Sequence, residues 1–187
     1  MTDVEKLLAY EEIRQLASRY AVYSDARDMQ ALVDLYVSDV RVGRDSYGRE
    51  ALRVDMDRAF RGVGVTFLHV GNHVIDLVDA DHANGIVYCR GEIQDGGPDS
   101  ERWIIHAIQY HDTYAREDGR WRFVRRKHFL VYGAELGQHP LHQEPADWPA
   151  NQTGVGTHPY VLETWKAFWG AEAQARAGAP ASDGREG

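Results

Sequence analysis

The first third of the chain has apolar side chains at helical intervals. Every three or four residues an apolar position recurs, at Leu8, Ile13, Leu16, Ala17 and Tyr20. This spacing predicts an amphipathic helix that runs to about Ser24, and Thr2 with Glu5 has the spacing of a capping box at its start. The same periodicity predicts a second helix after Asp28 and a third after the turn at Tyr47 and Gly48.

The pattern changes at Thr66, where β-branched and aromatic residues dominate and polar turn sequences recur. Four long strands are predicted at residues 66–79, 83–94, 102–116 and 120–132, with a shorter one at 39–43. Helices followed by hairpin-linked strands are typical of an α+β fold. We therefore expect N-terminal helices to cover one face of a strongly curved, mainly antiparallel sheet.

The regular pattern stops near position 136 and returns only at Pro159. Residues 137–157 contain three prolines and no periodicity, which predicts a loop. Pro159 then begins a helix so rich in aromatic residues that it should pack on the domain or on a neighbouring subunit. We divide the chain into an α+β domain (1–135), a C-terminal loop and helix (136–177) and a flexible tail (178–187).

Composition and charge narrow the classes of function. A chain of 187 residues with 43% apolar and 27% charged residues is sufficient for one globular domain. The net charge of -8 and the lack of a basic run argue against binding to nucleic acid. Cys89 is the only cysteine, so no intrachain disulfide can form. Neither a secretory signal nor a long apolar run is visible, so we expect a cytoplasmic protein without membrane contact.

Alternation along the strands sorts candidate polar residues onto faces. Strict alternation predicts that His69, Gly71 and His73 project together, and that Arg126 and His128 share a face of the last strand. Both faces carry apolar residues, so the sequence does not decide which set points inward. His69 and His73 have the i, i+4 spacing of helical zinc ligands, but the segment is a predicted strand without the required Glu, so no metal site is expected.

Three stretches of the chain resemble the SnoaL-like part of the nuclear transport factor two-like superfamily. They are IRQLASRYAVYSDARDMQALVDLY, HVGN and YHDTYAREDGRWRF, and the resemblance spans roughly Val4 to Tyr132. It implies a cone-shaped barrel closed by N-terminal helices over a deep pocket. It also implies a small-molecule enzyme, because the superfamily includes dehydratases and a dehydrochlorinase.

The resemblance assigns roles to four residues. Asp25 matches the family's aspartate at the end of the first helix, and His69 matches the histidine of the strand after the third helix. Tyr20 matches a tyrosine of bile acid dehydratase, and Arg126 lies where the dehydrochlorinase has a pocket arginine. In the implied mechanism His69 removes a proton next to a carbonyl, Asp25 orients its ring, and Tyr20 with Arg126 stabilises the oxygen.

Elementary electrostatics agrees with the Asp25 assignment. A carboxylate at a helix C-terminus faces the negative end of the helix dipole and needs a cationic or donor partner, which an imidazole would supply. The alternatives are a solvated Asp25, a His69 bonded to a backbone carbonyl, a Tyr20 that belongs to the core, and an Arg126 on the surface. Further residues expected to bind substrate are His106, Tyr110, His128, Tyr23 and Tyr47.

These observations lead to three hypotheses about function. The first is a cofactor-independent lyase, similar to a dehydratase, that acts on a small cyclic or polyketide-like substrate by proton abstraction and β-elimination. The second is an isomerase or aldol-type cyclase that uses the same dyad. The third is a non-catalytic domain for small-molecule binding or assembly. The exposed apolar area expected on the sheet and last helix further predicts a homo-oligomer, either a dimer or a trimer.

Overall fold

The computed structural model describes residues 1–142 and 158–170. Three helices come first: α1 (Asp3–Ala26), α2 (Met29–Val33) and α3 (Arg49–Arg61), with the short strands β1 (Arg41–Val42) and β2 (Ser46–Tyr47) before α3. Four long strands follow, namely β3 (Val63–Leu77), β4 (His82–Asp95), β5 (Trp103–Glu117) and β6 (Arg120–Glu135). A 3-10 turn (Pro140–His142) and helix α4 (Glu163–Trp169) complete the described chain.

Local hydrogen bonds explain where α1 begins and ends. The Glu5 backbone N–H donates to the Thr2 hydroxyl at 3.2 Å, and the Thr2 backbone N–H donates to the Glu5 carboxylate at 2.6 Å. This is the predicted capping box. The helix ends because Arg27 adopts a left-handed backbone conformation with φ 57°, which breaks the helical repeat. Asp25 therefore lies in the last turn of α1.

The four long strands form one antiparallel sheet in the order β3-β4-β5-β6. Helix α1 packs against both edge strands, β3 and β6. The α+β fold and the antiparallel sheet are confirmed. The closed barrel is not, because β3 and β6 do not pair with each other in the described part of the chain.

The two faces of this sheet have different environments. We call the face covered by the helices the inner face; it carries fully buried side chains such as Val87, Tyr114 and Phe123. We call the opposite side the outer face. There Phe67, Tyr88 and Tyr132 are each about half exposed or more. The hydrophobic core thus lies between the inner face and helices α1 to α3.

A β-bulge in β3 changes which histidine faces the core. Val70 pairs with Cys89 but His73 pairs with Val87, so one extra residue is accommodated between them. As a result His73 lies on the inner face with Val70, whereas His69, next to Arg90, points to the outer face and is exposed. The expectation that His69 and His73 project together is corrected by this bulge.

The C-terminal helix packs on the domain rather than extending into solvent. Trp165 is 1% exposed and forms a cluster with Val65 and Trp103. The Thr164 hydroxyl donates to the Ala26 carbonyl at 2.7 Å, which joins α4 to the end of α1. Most of the predicted loop and the whole predicted tail lie outside the described residues. No helix in the described ranges is both long and apolar enough to cross a membrane.

Candidate functional site

A cavity of about 320 Å³ lies between α1, α3 and the inner face of the sheet. Three tyrosines, Tyr20, Tyr36 and Tyr110, form part of its wall, together with Arg126 and His128. Four of these five residues were candidates from the sequence. Its volume is at the lower end of the range for small-molecule pockets.

Arg126 is held rigidly at the cavity wall. Its Nε and Nη2 donate to the two carboxylate oxygens of Asp112 at 3.0 Å and 2.7 Å. Its guanidinium also lies over the rings of Tyr20 and Tyr110, at 4.4 Å and 4.3 Å from their centroids. Burial opposes its charge, but the Asp112 hydrogen bonds and charge outweigh burial and raise the pKa of Arg126. Within the described part of the chain Nη1 has no hydrogen-bond partner, so this nitrogen can donate to a ligand in the cavity.

A chain of hydrogen bonds extends from Arg126 along the inner face. The Tyr114 hydroxyl donates to Asp112 at 2.9 Å, and His73 Nε2 lies 3.1 Å from the Tyr114 oxygen. Because the Tyr114 hydrogen is used on Asp112, we assign the proton between His73 and Tyr114 to the His73 nitrogen. Burial lowers the pKa of His73 to about 4. His73 is therefore a neutral residue that supports the Asp112–Arg126 pair.

His128 is the exposed histidine of the cavity. Its ring centroid lies 5.5 Å from that of Tyr110. Burial of part of the ring, and the neighbouring His106, lower the pKa of His128. The imidazole is thus neutral at neutral pH and able to accept a proton. Burial raises the pKa of Tyr20, so its phenol keeps its proton and can donate a hydrogen bond.

The carboxylate of Asp25, in the last turn of α1, is held by two residues near the start of β3. Its carboxylate accepts a hydrogen bond from the Thr66 hydroxyl at 2.7 Å and another from the Leu68 backbone N–H at 3.0 Å. Arg27 Nη1 donates to the same Thr66 oxygen at 3.0 Å. Burial outweighs these bonds and raises the pKa of Asp25 to about 6. Both protonation states are therefore accessible near neutral pH.

The expected dyad between Asp25 and His69 is not formed. Both oxygens of Asp25 are taken by Thr66 and Leu68, and the β3 bulge leaves Leu68, not His69, on the inner face beside it. His69 instead lines a shallow groove of about 430 Å³ on the outer face, together with Tyr88 and Tyr132. The predicted role of His69, a base oriented by Asp25, required the two side chains to meet, and the structure does not bring them together.

The remaining candidates are distributed over four places. Tyr110 and His128 line the cavity, as expected for residues that contact a ligand. His106, opposite Gly133 on β6, does not line the cavity but lines the groove that also contains His69. Tyr23 lines a surface groove beside α1, and Tyr47 is 61% exposed on β2. The structure therefore does not bring Tyr23 or Tyr47 to the cavity.

Three polar residues were not identified as functional candidates from the sequence. Asp112 and Tyr114 belong to the YHDTY motif, which was used only as a family signature. Their spacing from Tyr110 is a usable signal, because residues two apart in a strand share a face. Arg27 was also missed, since its burial depends on contacts with α4, which is distant in sequence.

Comparison with known proteins places this fold in a family. No curated protein matches the sequence significantly. A hexachlorocyclohexane dehydrochlorinase, LinA type 2, is 25% identical, with a TM-score of 0.62 over 78% of this chain and 100% of that one. LinA type 3 of Novosphingobium barchaimii is 23% identical, with a TM-score of 0.62 over 73% and 95%.

A protein of Novosphingobium aromaticivorans, provisionally described as a scytalone dehydratase, has the same fold. It is 23% identical, with a TM-score of 0.61 over 77% of this chain and 99% of that one. The family model of the SnoaL-like domain matches residues 5–127, which contain nearly all of α1, the whole of α2 and α3 and most of the sheet. The chain therefore belongs to the SnoaL-like domain family, as the sequence motifs predicted.

Proposed function

We propose that this protein is a small-molecule lyase whose reaction takes place in the cavity lined by Tyr20, Tyr110, Arg126 and His128. The observation that carries the proposal is the combination of a neutral imidazole with two hydrogen-bond donors in one cavity. Membership of the SnoaL-like family, whose structural neighbours include a dehydrochlorinase, supports a reaction of this class.

In the proposed reaction, neutral His128 takes a proton from a carbon next to a substrate carbonyl. The electron pair moves into an enolate, whose oxygen accepts hydrogen bonds from the Tyr20 hydroxyl and Arg126 Nη1. The enolate then expels a β-hydroxyl, which leaves as water with the proton carried by His128. The imidazole returns to its neutral form, so protons and electrons balance within one turnover.

The walls of the cavity favour a cyclic, partly apolar substrate. Tyr20, Tyr36 and Tyr110 present aromatic surface, and Leu52 and Met56 add aliphatic surface from α3. Aromatic walls with a few polar groups at fixed positions are typical of pockets that bind ring compounds. We therefore propose cyclic β-hydroxy ketones as the substrate class to test first.

The test compares three variants of the full chain on a panel of cyclic β-hydroxy ketones, with product mass as the readout. His128→Gln should lower turnover at least about 100-fold, the usual minimum for loss of a positioned base. Tyr20→Phe should lower it less. His111→Gln is the matched control, because His111 is an exposed outer-face histidine bonded to Gln109. Full activity of His128→Gln would refute the assignment of the base.

An isomerase is a second candidate because Asp25, with its pKa raised to about 6, is another group able to give or take a proton. Proton return to a different carbon would replace loss of the hydroxyl. The two reactions are separated by mass, since elimination releases one water and isomerisation releases none.

A further inference from the structure

The cavity of the proposed reaction has a positively charged wall, although the protein as a whole carries a net charge of -8. Three arginines line it, namely Arg41, Arg125 and Arg126, and none of the described residues in its wall is an aspartate or a glutamate. The proposed elimination uses only Arg126. It therefore assigns no role to Arg41 and Arg125.

The charges of these three arginines are neutralised to different extents. Asp112, which is fully buried, forms a two-point ion pair with Arg126. Within the part of the chain that the structure describes, no carboxylate lies within ion-pair distance of Arg41 or Arg125. Both of these residues are exposed. The cavity wall thus keeps the positive charges of Arg41 and Arg125 without a compensating acidic group.

The turn between β1 and β2 holds the Arg41 side chain in place. Its Nε donates to the Gly43 carbonyl and its Nη2 donates to the Arg44 carbonyl, both at 3.2 Å. Nη1 has no hydrogen-bond partner among the described residues, so this nitrogen can donate to an acceptor in the cavity that Arg41 lines. A guanidinium that is already held in position loses little conformational freedom when it binds an anion.

The cavity wall is cationic where it is exposed and largely apolar where it is buried. Arg41 and Arg125 are exposed, whereas Val40, Leu52 and the Arg126 side chain are buried. A ligand that contacts both parts would place its ketone at Arg126 and an acidic group at the exposed arginines. A carboxylate suits this position, because it is a small acidic group and adds little to a ring that has to fit within about 320 Å³.

We propose that the substrate carries a carboxylate in addition to its cyclic β-hydroxy ketone, and that Arg41, with Arg125, binds this carboxylate and determines specificity. The inference rests on the proposed function, because it names the substrate class of the same cavity. The carboxylate lies away from the carbons that react and keeps its charge, so it does not alter the balance of protons and electrons in the elimination. Hydrogen bonds between a guanidinium and a carboxylate are among the strongest that side chains form.

The binding of two cyclohexanones to the full chain tests this proposal without requiring turnover. One carries a carboxylate on the ring carbon opposite the ketone, and the other carries a carboxamide of nearly the same shape. Neither has a hydroxyl to eliminate. Calorimetry should show that the carboxylate binds about tenfold more tightly, and added salt should reduce the difference. Arg41→Gln should remove this preference, and Arg41→Lys should keep part of it because the charge remains.

Arg44→Gln is the matched control, because Arg44 is an exposed arginine of the same turn whose side chain does not line the cavity. It should leave both affinities unchanged. Unchanged binding of the carboxamide by Arg41→Gln would show that the cavity is intact in that variant. Equal affinity of the unmodified protein for the two compounds, no binding of the carboxylate, or an unchanged preference in Arg41→Gln would overturn the proposal.

Turnover separates this inference from the proposed function. A carboxylate preference that depends on Arg41, in a protein that dehydrates no cyclic β-hydroxy ketone, would refute the lyase and leave the anion site intact. Equal kcat/KM for neutral and carboxylated β-hydroxy ketones would instead support the lyase and overturn the anion site. In an active protein, Arg41→Gln should lower kcat/KM by about tenfold for the carboxylated compounds alone.

Discussion

At the residue scale, the raised pKa of Asp25 predicts a pH dependence of stability. The pKa of about 6 in the folded protein exceeds the ordinary value of 3.8, so the folded state holds the proton more tightly. This contribution to stability is complete below pH 3.8 and is lost as the pH rises through about 6. The shift corresponds to about 3 kcal/mol.

In the unmodified protein, the free energy of unfolding should therefore fall by about 3 kcal/mol between pH 4 and 7, and Asp25→Asn should abolish this fall. Urea unfolding at a series of pH values measures it. Asp45→Asn, at an exposed position between β1 and β2, is the control. A pH profile of stability that is the same with and without Asp25 would contradict the assigned pKa.

The buried Asp112–Arg126 pair predicts a large effect of a small substitution. The two side chains are 0% and 3% exposed, so neither charge can be solvated if the other is removed. Asp112→Asn should lower the free energy of unfolding by about 3–5 kcal/mol, whereas Asp112→Asn combined with Arg126→Leu should lose less. Chemical denaturation of the two variants measures the difference, and equal losses would show that the pair is not coupled.

At the element scale, the helices agree with the sequence prediction, whereas the predicted facing of the histidines in β3 does not. The capping box at Thr2 and the apolar repeat of α1 are local, so spacing alone predicted them. The bulge between Val70 and His73 depends on pairing with β4. Strict alternation therefore failed for His69. It held for Tyr110, Asp112 and Tyr114, because the extra residue at the register shift beside Tyr114 lies on β6 and not on β5.

Helix α4 offers a second prediction at this scale. Trp165→Ala should lower the free energy of unfolding by about 3–5 kcal/mol, because it removes a fully buried aromatic side chain and uncovers Arg27. Val161→Ala is the control, since Val161 is 50% exposed and its loss should change stability by under about 0.5 kcal/mol. Equal stability of the two variants would show that α4 does not stabilise the domain.

At the scale of the whole molecule, the outer face of the sheet predicts self-association. Tyr88 and Tyr132 line one groove there, and Phe67 is exposed on the same face. Such patches on proteins often mark subunit interfaces. Tyr132→Glu should reduce the molar mass measured by sedimentation to that of a monomer, whereas Tyr47→Glu, on exposed β2, should not. A monomeric parent protein would contradict the prediction.

The order of elements and the spans of the long strands could be predicted because both depend on local patterns. Whether the edge strands β3 and β6 pair, and the contact between Trp165 and Arg27, could not be predicted, because each depends on segments far apart in the chain. The cavity is an intermediate case. Tyr20, Arg126 and His128 were identified individually, but only the packing of α1 and α3 on the sheet shows that they share one space.

The extra residue in β3 also affects how this chain should be compared with its relatives. In a relative that lacks one residue between Val70 and His73, the residues before that point, aligned without a gap, would point to the opposite face of the sheet. Alignments drawn without a gap at that point will equate histidines that point in opposite directions. Transfer of active-site assignments across this family therefore requires the strand to be aligned from its pairing with β4, not from the nearest histidine.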